Sequence, residues 1–222
     1  MKLTGIIVCL LIAYSGYSQT DLEKKFSKIS CNCIDSLAAK NSLTQETLFY
    51  CFENSLQANR KLVELESQRI YGDTSEESGH KIGADLAQKA MLNLVSSCRT
   101  YFYFMDSLRY EDYKNLNPDS LTLVFNEMSK AGIENQSEKF LEKRALLSFH
   151  LKKYQSSLTD IEAVLKLNPE NGQSIFLKGW INEISGDYDA AKAMYDRVAN
   201  ITKNSSFLIF SEIAKRKKKE KG

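Results

Sequence analysis

Two stretches of this chain repeat each other at a fixed offset. Between Glu138 and Lys203, Tyr154 matches Tyr188 and Ala145 matches Gly179. Ser157 matches Ala191, Ile161 matches Tyr195, and Val164 matches Val198, every pair 34 residues apart. Each copy carries apolar residues at helical spacing in two runs separated by a short polar turn, Gly186-Asp187-Tyr188 in the second copy. One helical hairpin of this size cannot bury its apolar face alone and needs neighbours stacked on it. The duplication therefore confines this half of the chain to a short helical stack, with hairpins over about 137–150 with 154–167 and 172–185 with 188–201.

The period, the small residues Ala145 and Gly179, the aromatics Tyr154 and Tyr188, and Pro169 closing the first copy resemble the tetratricopeptide repeat. That resemblance implies a binding module whose concave face is lined by the first helix of each hairpin. Carried over by position, those residues are Lys139, Glu142, Leu146 and Phe149, then Gln173, Phe176, Trp180 and Glu183. Phe207 and Phe210, in a last helix over 205–218, extend the row. Leu146, Phe149, Phe176, Trp180, Phe207 and Phe210 are thus the candidate partner-binding residues, since aromatics are favoured anchors in interfaces. The competing reading packs Trp180 and Phe176 under the chain's own capping helix. Arg144 and Asp160 fall where many such repeats hold an ion pair between facing helices, and Lys178 and Met194 take those places in the second copy.

The rest of the chain is read from its own pattern. It has 222 residues, 43% hydrophobic and 26% charged, with only 2 prolines and 10 glycines and no alternating β-branched run, so the class is all-α. Residues 1–18 carry Lys2, an apolar run Ile6–Ala13 too short to span a bilayer, and the small residues Gly16 and Ser18. They read as a secretory leader cut before Gln19. From Asp21, three long helices are expected, to about Ala39, from Thr44 to about Tyr71, and from Glu76 past Met105. The expected layout is a leader at 1–18, a four-cysteine helical domain at 19–110, a linker with a short capping helix at 111–136, two repeats at 137–204, and a capping helix with a basic tail at 205–222. Residues 20–110 also resemble a four-cysteine helical domain of exported bacterial proteins, which implies no activity.

Cys31, Cys33, Cys51 and Cys98 remain once the leader is set aside. An even count in an exported chain argues for two disulfides. Cys31 and Cys33 point about 160° apart on a helix. Cys33 lies eight residues before Asn41 and Cys51 nine after Ser42, and Cys51 and Cys98 lie 22 and 25 residues from Asp73. This favours Cys33–Cys51 with Cys31–Cys98 over the rival pairing Cys31–Cys51 with Cys33–Cys98. A single residue between Cys31 and Cys33 is short of zinc-ligand spacing.

No catalytic motif is present, and neither His80 nor His150 has a nucleophile pattern beside it. There is no phosphate-binding glycine loop, so no cofactor is expected. Without Lys2 the 30 basic residues become 29 against 28 acidic, too balanced for a nucleic-acid partner. The run Lys215-Arg216-Lys217-Lys218-Lys219 suits either a weak contact with an anionic membrane or a solvated, fraying helix end. The expectation is a non-enzymatic, secreted or periplasmic module that binds a protein or peptide. The alternative is an envelope redox or metal-binding factor built on the cysteines.

Overall fold

The structure, a computed structural model, describes residues 6–111, 113–131 and 136–221, with side chains from Asp21 onward. Among them are eleven α-helices, one 3-10 turn and no strand. The chain divides into two compact units, Met1–Phe104 and Met105–Gly222. The side chains of the expected leader lie outside the described residues, as do positions 132–135 of the expected linker. Among the described residues no helix is long and apolar enough to cross a membrane.

The first unit holds α1 (Ile6–Ala39), α2 (Gln45–Ala58), α3 (Arg60–Tyr71), α4 (Glu76–Ser97) and the start of α5 (Arg99–Glu111). Thr44 caps α2 through a reciprocal pair with Thr47: each backbone N–H donates to the other's Oγ1, at 2.8 and 3.1 Å. Gly72 ends α3 in the left-handed region, at φ 75°, and Ser75 caps α4. Two of the three expected rods are jointed. The second breaks at Asn59, a buried residue whose Nδ2 donates to the Ser55 carbonyl, so the side chain competes with the helix for its own backbone. The third breaks at Cys98, which adopts extended angles of −119° and 109° where a disulfide holds it. Leu22, Ile82 and Leu86 pack with Leu56, Leu62 and Val63. Phe26 stacks on Phe52, with ring centres 6.1 Å apart.

The second unit holds the end of α5, then α6 (Pro118–Ser129), α7 (Glu138–His150), α8 (Tyr154–Leu167), α9 (Gly172–Ile184) and α10 (Tyr188–Thr202). The 3-10 turn Ser205–Phe207 and α11 (Leu208–Lys221) follow. The helices of both repeats form where the periodicity places them. The copies share their caps: Ser137 accepts from Phe140 N, and Asn171, one period later, accepts from Ser174 N. They also share a left-handed turn residue, Lys152 at φ 57° and Gly186 at φ 85°. α7 packs on α8, α9 on both α8 and α10, and α11 closes the stack on α10. The last helix runs to Lys221 rather than fraying, because its basic side chains find partners within the unit. Lys218 bonds Asp189 at 2.6 Å and Arg216 bonds Glu220 at 2.8 Å, while Lys221 sits over the Tyr188 ring at 5.2 Å.

Candidate functional site

The predicted row assembles in the second unit as one aromatic ladder. Ring centres run from Phe149 to Trp180 at 4.7 Å, Trp180 to Phe176 at 6.0 Å, and Phe176 to Phe207 and Phe210 at 5.5 and 5.1 Å. Leu146 packs at its start. The ladder is not open. Trp180 is 2% exposed and Phe149 is buried, while Leu146, Phe176, Phe207 and Phe210 are half-buried.

What covers Trp180 is the junction of the expected cysteine domain and the expected linker, at the end of α5 and just after it. The end of α5 brings Tyr110 to 5.2 Å from the Trp180 ring, and Tyr113 follows at 5.8 Å. Trp180 Nε1 donates to the Tyr110 hydroxyl at 3.4 Å. Tyr113 also lies 4.1 Å from the His150 ring, and burial pushes that imidazole below its usual pKa. Arg109 enters between them, its guanidinium over Trp180 at 5.1 Å and Phe210 at 5.4 Å.

Arg109 is the centre of a buried charge network. Its Nη1 donates to Glu183 Oε2 at 2.9 Å and to the Tyr195 hydroxyl at 3.1 Å, and its Nη2 donates to Glu183 Oε1 at 2.5 Å and to Asp106. Lys217 donates to Asp106 and Glu183, both at 2.8 Å. Two cations meet two carboxylates, so the cluster is neutral. Burial alone would raise the Glu183 pKa, but Arg109 and Lys217 outweigh it and hold the carboxyl below its ordinary range. Burial and the Glu183 charge together push the Tyr195 phenol up. The Glu183 carboxylate and the Arg109 and Lys217 cations each favour the other's charged form, which makes a clamp rather than a proton-transfer centre.

Beside this clamp an open cleft of about 270 Å³ is lined by Tyr110, Ile184, Tyr188, Glu220 and Lys221, with Glu183 and Lys217 at its floor. Tyr110 is 41% and Ile184 40% exposed. Arg109, Tyr110 and Tyr113 are not among the residues that the sequence marks as candidates. The signal for them is helical spacing: Arg109 and Tyr113 continue the pattern of Tyr101 and Met105 past the expected domain end at 110.

Arg144 and Asp160 form the ion pair that the resemblance implies, through Nε–Oδ2 at 2.9 Å and Nη2–Oδ1 at 2.6 Å. Arg144 also donates to the Ala131 carbonyl at 2.8 Å, which ties the residues after α6 to the first repeat. In the second repeat Lys178 turns instead to Glu162.

The cysteines pair as Cys31–Cys98 and Cys33–Cys51, with Cα atoms 5.7 and 5.5 Å apart. Asp35 is the one carboxylate grouped with Cys31 and Cys98 among the described residues, at 3.7 Å from Cys31 Sγ, and both sulfurs of that group are spent in the disulfide.

A family model of the tetratricopeptide repeat matches residues 172–205, the hairpin of α9 and α10 with the turn after it. No curated protein and no solved structure matches the chain. The repeat is a non-catalytic motif of protein–protein interaction. The chain thus carries a tetratricopeptide repeat in its C-terminal unit, preceded by a disulfide-linked, cysteine-rich helical segment.

Proposed function

We propose that this chain is an exported, non-catalytic interaction protein of the cell envelope, whose repeat unit binds a segment of another protein at the lip of its aromatic ladder. The observation that carries the reading is the matched repeat, with its exposed Tyr110, Ile184 and half-buried Tyr188 around an open cleft. Large apolar groups beside charged ones are what a small interface core and rim require. Trp180 serves in this reading as the floor that fixes Tyr110, and the half-buried Phe176, Phe207 and Phe210 back the same wall. Export is supported by the leader-like residues 1–18 and by two disulfides, which persist in oxidising compartments. The basic tail serves the fold, since most of its cations are matched within the unit.

The redox or metal alternative is weaker on chemistry. Cys51 and Cys98 are fully buried, and the Asp35 carboxylate beside Cys31 would disfavour a thiolate there. The test is photocrosslinking in the native host, with benzoylphenylalanine in place of Tyr188 or, as the control, of Gln155 on α8. A protein adduct from position 188 and none from 155 supports the proposal. Adducts from both positions alike, or from neither, overturn it.

A further inference from the structure

The first unit holds an open cleft of about 530 Å³ between α1 and α4, within the size range of small-ligand sites. Its lining is unusual for a surface groove between helices. Lys24 and Lys28, one turn apart on α1, have no carboxylate partner among the described residues, although neighbouring Lys25 and Lys89 are each paired. Asn32 on α1 and Asn93 on α4 line the cleft, and their side-chain amides have no hydrogen-bond partner among the described residues. The Ser27 hydroxyl is buried and has no hydrogen-bond partner. A buried hydroxyl left unpaired costs free energy that a bound group would recover. Glu23 also lines the cleft, but Lys89 holds it at 3.3 Å, so its charge is already answered.

The Cys31–Cys98 disulfide fixes the walls. Cys31 lines the cleft on α1, and Cys98 follows directly on Ser97, which lines it on α4. The bond therefore sets the separation of the two walls at the base of the cleft. Cys33–Cys51 joins α1 to α2 instead, and neither of its cysteines lines the cleft or ties α1 to α4. A cleft held at fixed width binds without the cost of ordering its walls.

We propose that this cleft is a binding site for a small hydroxyl-rich anion, a sugar acid or a sugar phosphate. The two ammonium groups answer the anionic group. The two amides and the Ser27 hydroxyl, each able to donate and accept, answer hydroxyls. The site is separate from the repeat unit, and its failure leaves the interaction reading untouched.

The experiment titrates the full oxidised chain, followed by amide NMR, with glucuronate, glucose 6-phosphate, inorganic phosphate and methyl glucoside. Glucuronate or glucose 6-phosphate should shift the signals of Ser27, Asn32 and Asn93 and bind roughly tenfold more tightly than methyl glucoside or phosphate. K24Q/K28Q should weaken that binding roughly tenfold and K24R/K28R should restore it. C31S/C98S should weaken it while C33S/C51S does not, which separates the clamp from general loss of fold. Inorganic phosphate binding as tightly as the sugar phosphate, binding unmoved by K24Q/K28Q, or no shift at these residues would each overturn the proposal.

Discussion

The two units hold helices together by different means. In the first, two disulfides join α1 to α2 and to the joint between α4 and α5, around a modest aliphatic core of Leu22, Ile82 and Leu86. In the second there is no disulfide, and the stack relies on aromatic packing and two buried arginine–carboxylate pairs, Arg109–Glu183 and Arg144–Asp160. A crosslink acts largely by restricting the unfolded chain, so it tolerates a jointed rod such as α4–α5. A buried ion pair acts only in the folded state and only when geometry is satisfied, so it demands the regular caps and turns that the repeat supplies. The first unit should therefore respond to redox conditions and the second to charge.

The sharpest way to break this contrast is to unpair the clamp. Glu183→Ala leaves Arg109 and Lys217 sharing Asp106 in a buried site, and the expected loss is about 3–5 kcal/mol of stability in the second unit. Thermal melts followed by near-ultraviolet dichroism of Trp180 read this unit alone, because Trp180 is the single tryptophan. Acid should act on the same group. The folded pKa of Glu183 is depressed below its ordinary 4.5, so its contribution is complete above about pH 4.5 and is lost as pH falls through the lower folded value. The melting temperature of the second unit should fall in that acid window, and Glu183→Gln should flatten the fall. An unchanged acid slope in Glu183→Gln would show that the pair contributes nothing specific. Trp180→Ala belongs to the same class of effect, about 3–5 kcal/mol, since the ring is enclosed by Phe149, Phe176, Tyr110 and Tyr113.

How much of this could be read from the sequence follows the same division. The repeat is legible because its constraints are local and periodic: Ala145 and Gly179, Tyr154 and Tyr188, and Val164 and Val198 each recur 34 residues apart. The disulfide pairing was legible because hairpin turns fix which residues lie level. The clamp was not legible, because Arg109 and Glu183 are 74 residues apart and no period relates them. Its consequence is equally hidden: Trp180 is covered by the chain's own Tyr110 and Tyr113, on either side of the expected boundary at 110. The joints at Asn59 and Cys98 escaped for a different reason. The apolar periodicity continues through both, and only tertiary bonding at Asn59 and the disulfide at Cys98 interrupts the helix.

The disulfides give the next effect in size. Cys31–Cys98 closes 67 residues and Cys33–Cys51 closes 18. On the chain-entropy account the longer loop contributes about 4 kcal/mol and the shorter about 3. Cys31→Ser/Cys98→Ser should lower the first unit's midpoint in urea more than Cys33→Ser/Cys51→Ser, and neither should move the Trp180 signal. Equal losses would show that native contacts rather than loop length set the contribution.

The smallest effect compares one substitution in both units. Gly83 on α4 and Gly179 on α9 both sit inside helices, where replacement by alanine ordinarily gains about 1 kcal/mol of backbone entropy. A Cβ on Gly83 would meet the Leu56 methyl groups at 3.3 and 3.5 Å, the far end of a flexible side chain that can turn away. A Cβ on Gly179 would meet Met194 Cβ and the Tyr195 ring at 3.0 Å, and the ring is pinned by hydrogen bonds to Glu183 and Arg109. Overpacking of that kind costs about 1–3 kcal/mol. Gly83→Ala should therefore be neutral or slightly stabilising, while Gly179→Ala should destabilise by about 1 kcal/mol. The first repeat explains the asymmetry. There Ala145 stands in place of Gly179, and the smaller Ile161 stands in place of Tyr195. The second repeat exchanged the methyl for a ring whose hydroxyl reaches the clamp. Gly179→Ala combined with Tyr195→Ile should then relieve the steric part while losing the hydroxyl's bonds, so that the two losses do not add. If Gly179→Ala stabilises as much as Gly83→Ala in urea titrations, the α9–α10 contact is no tighter than the packing of the stapled unit, and the contrast between the two fails at its most local point.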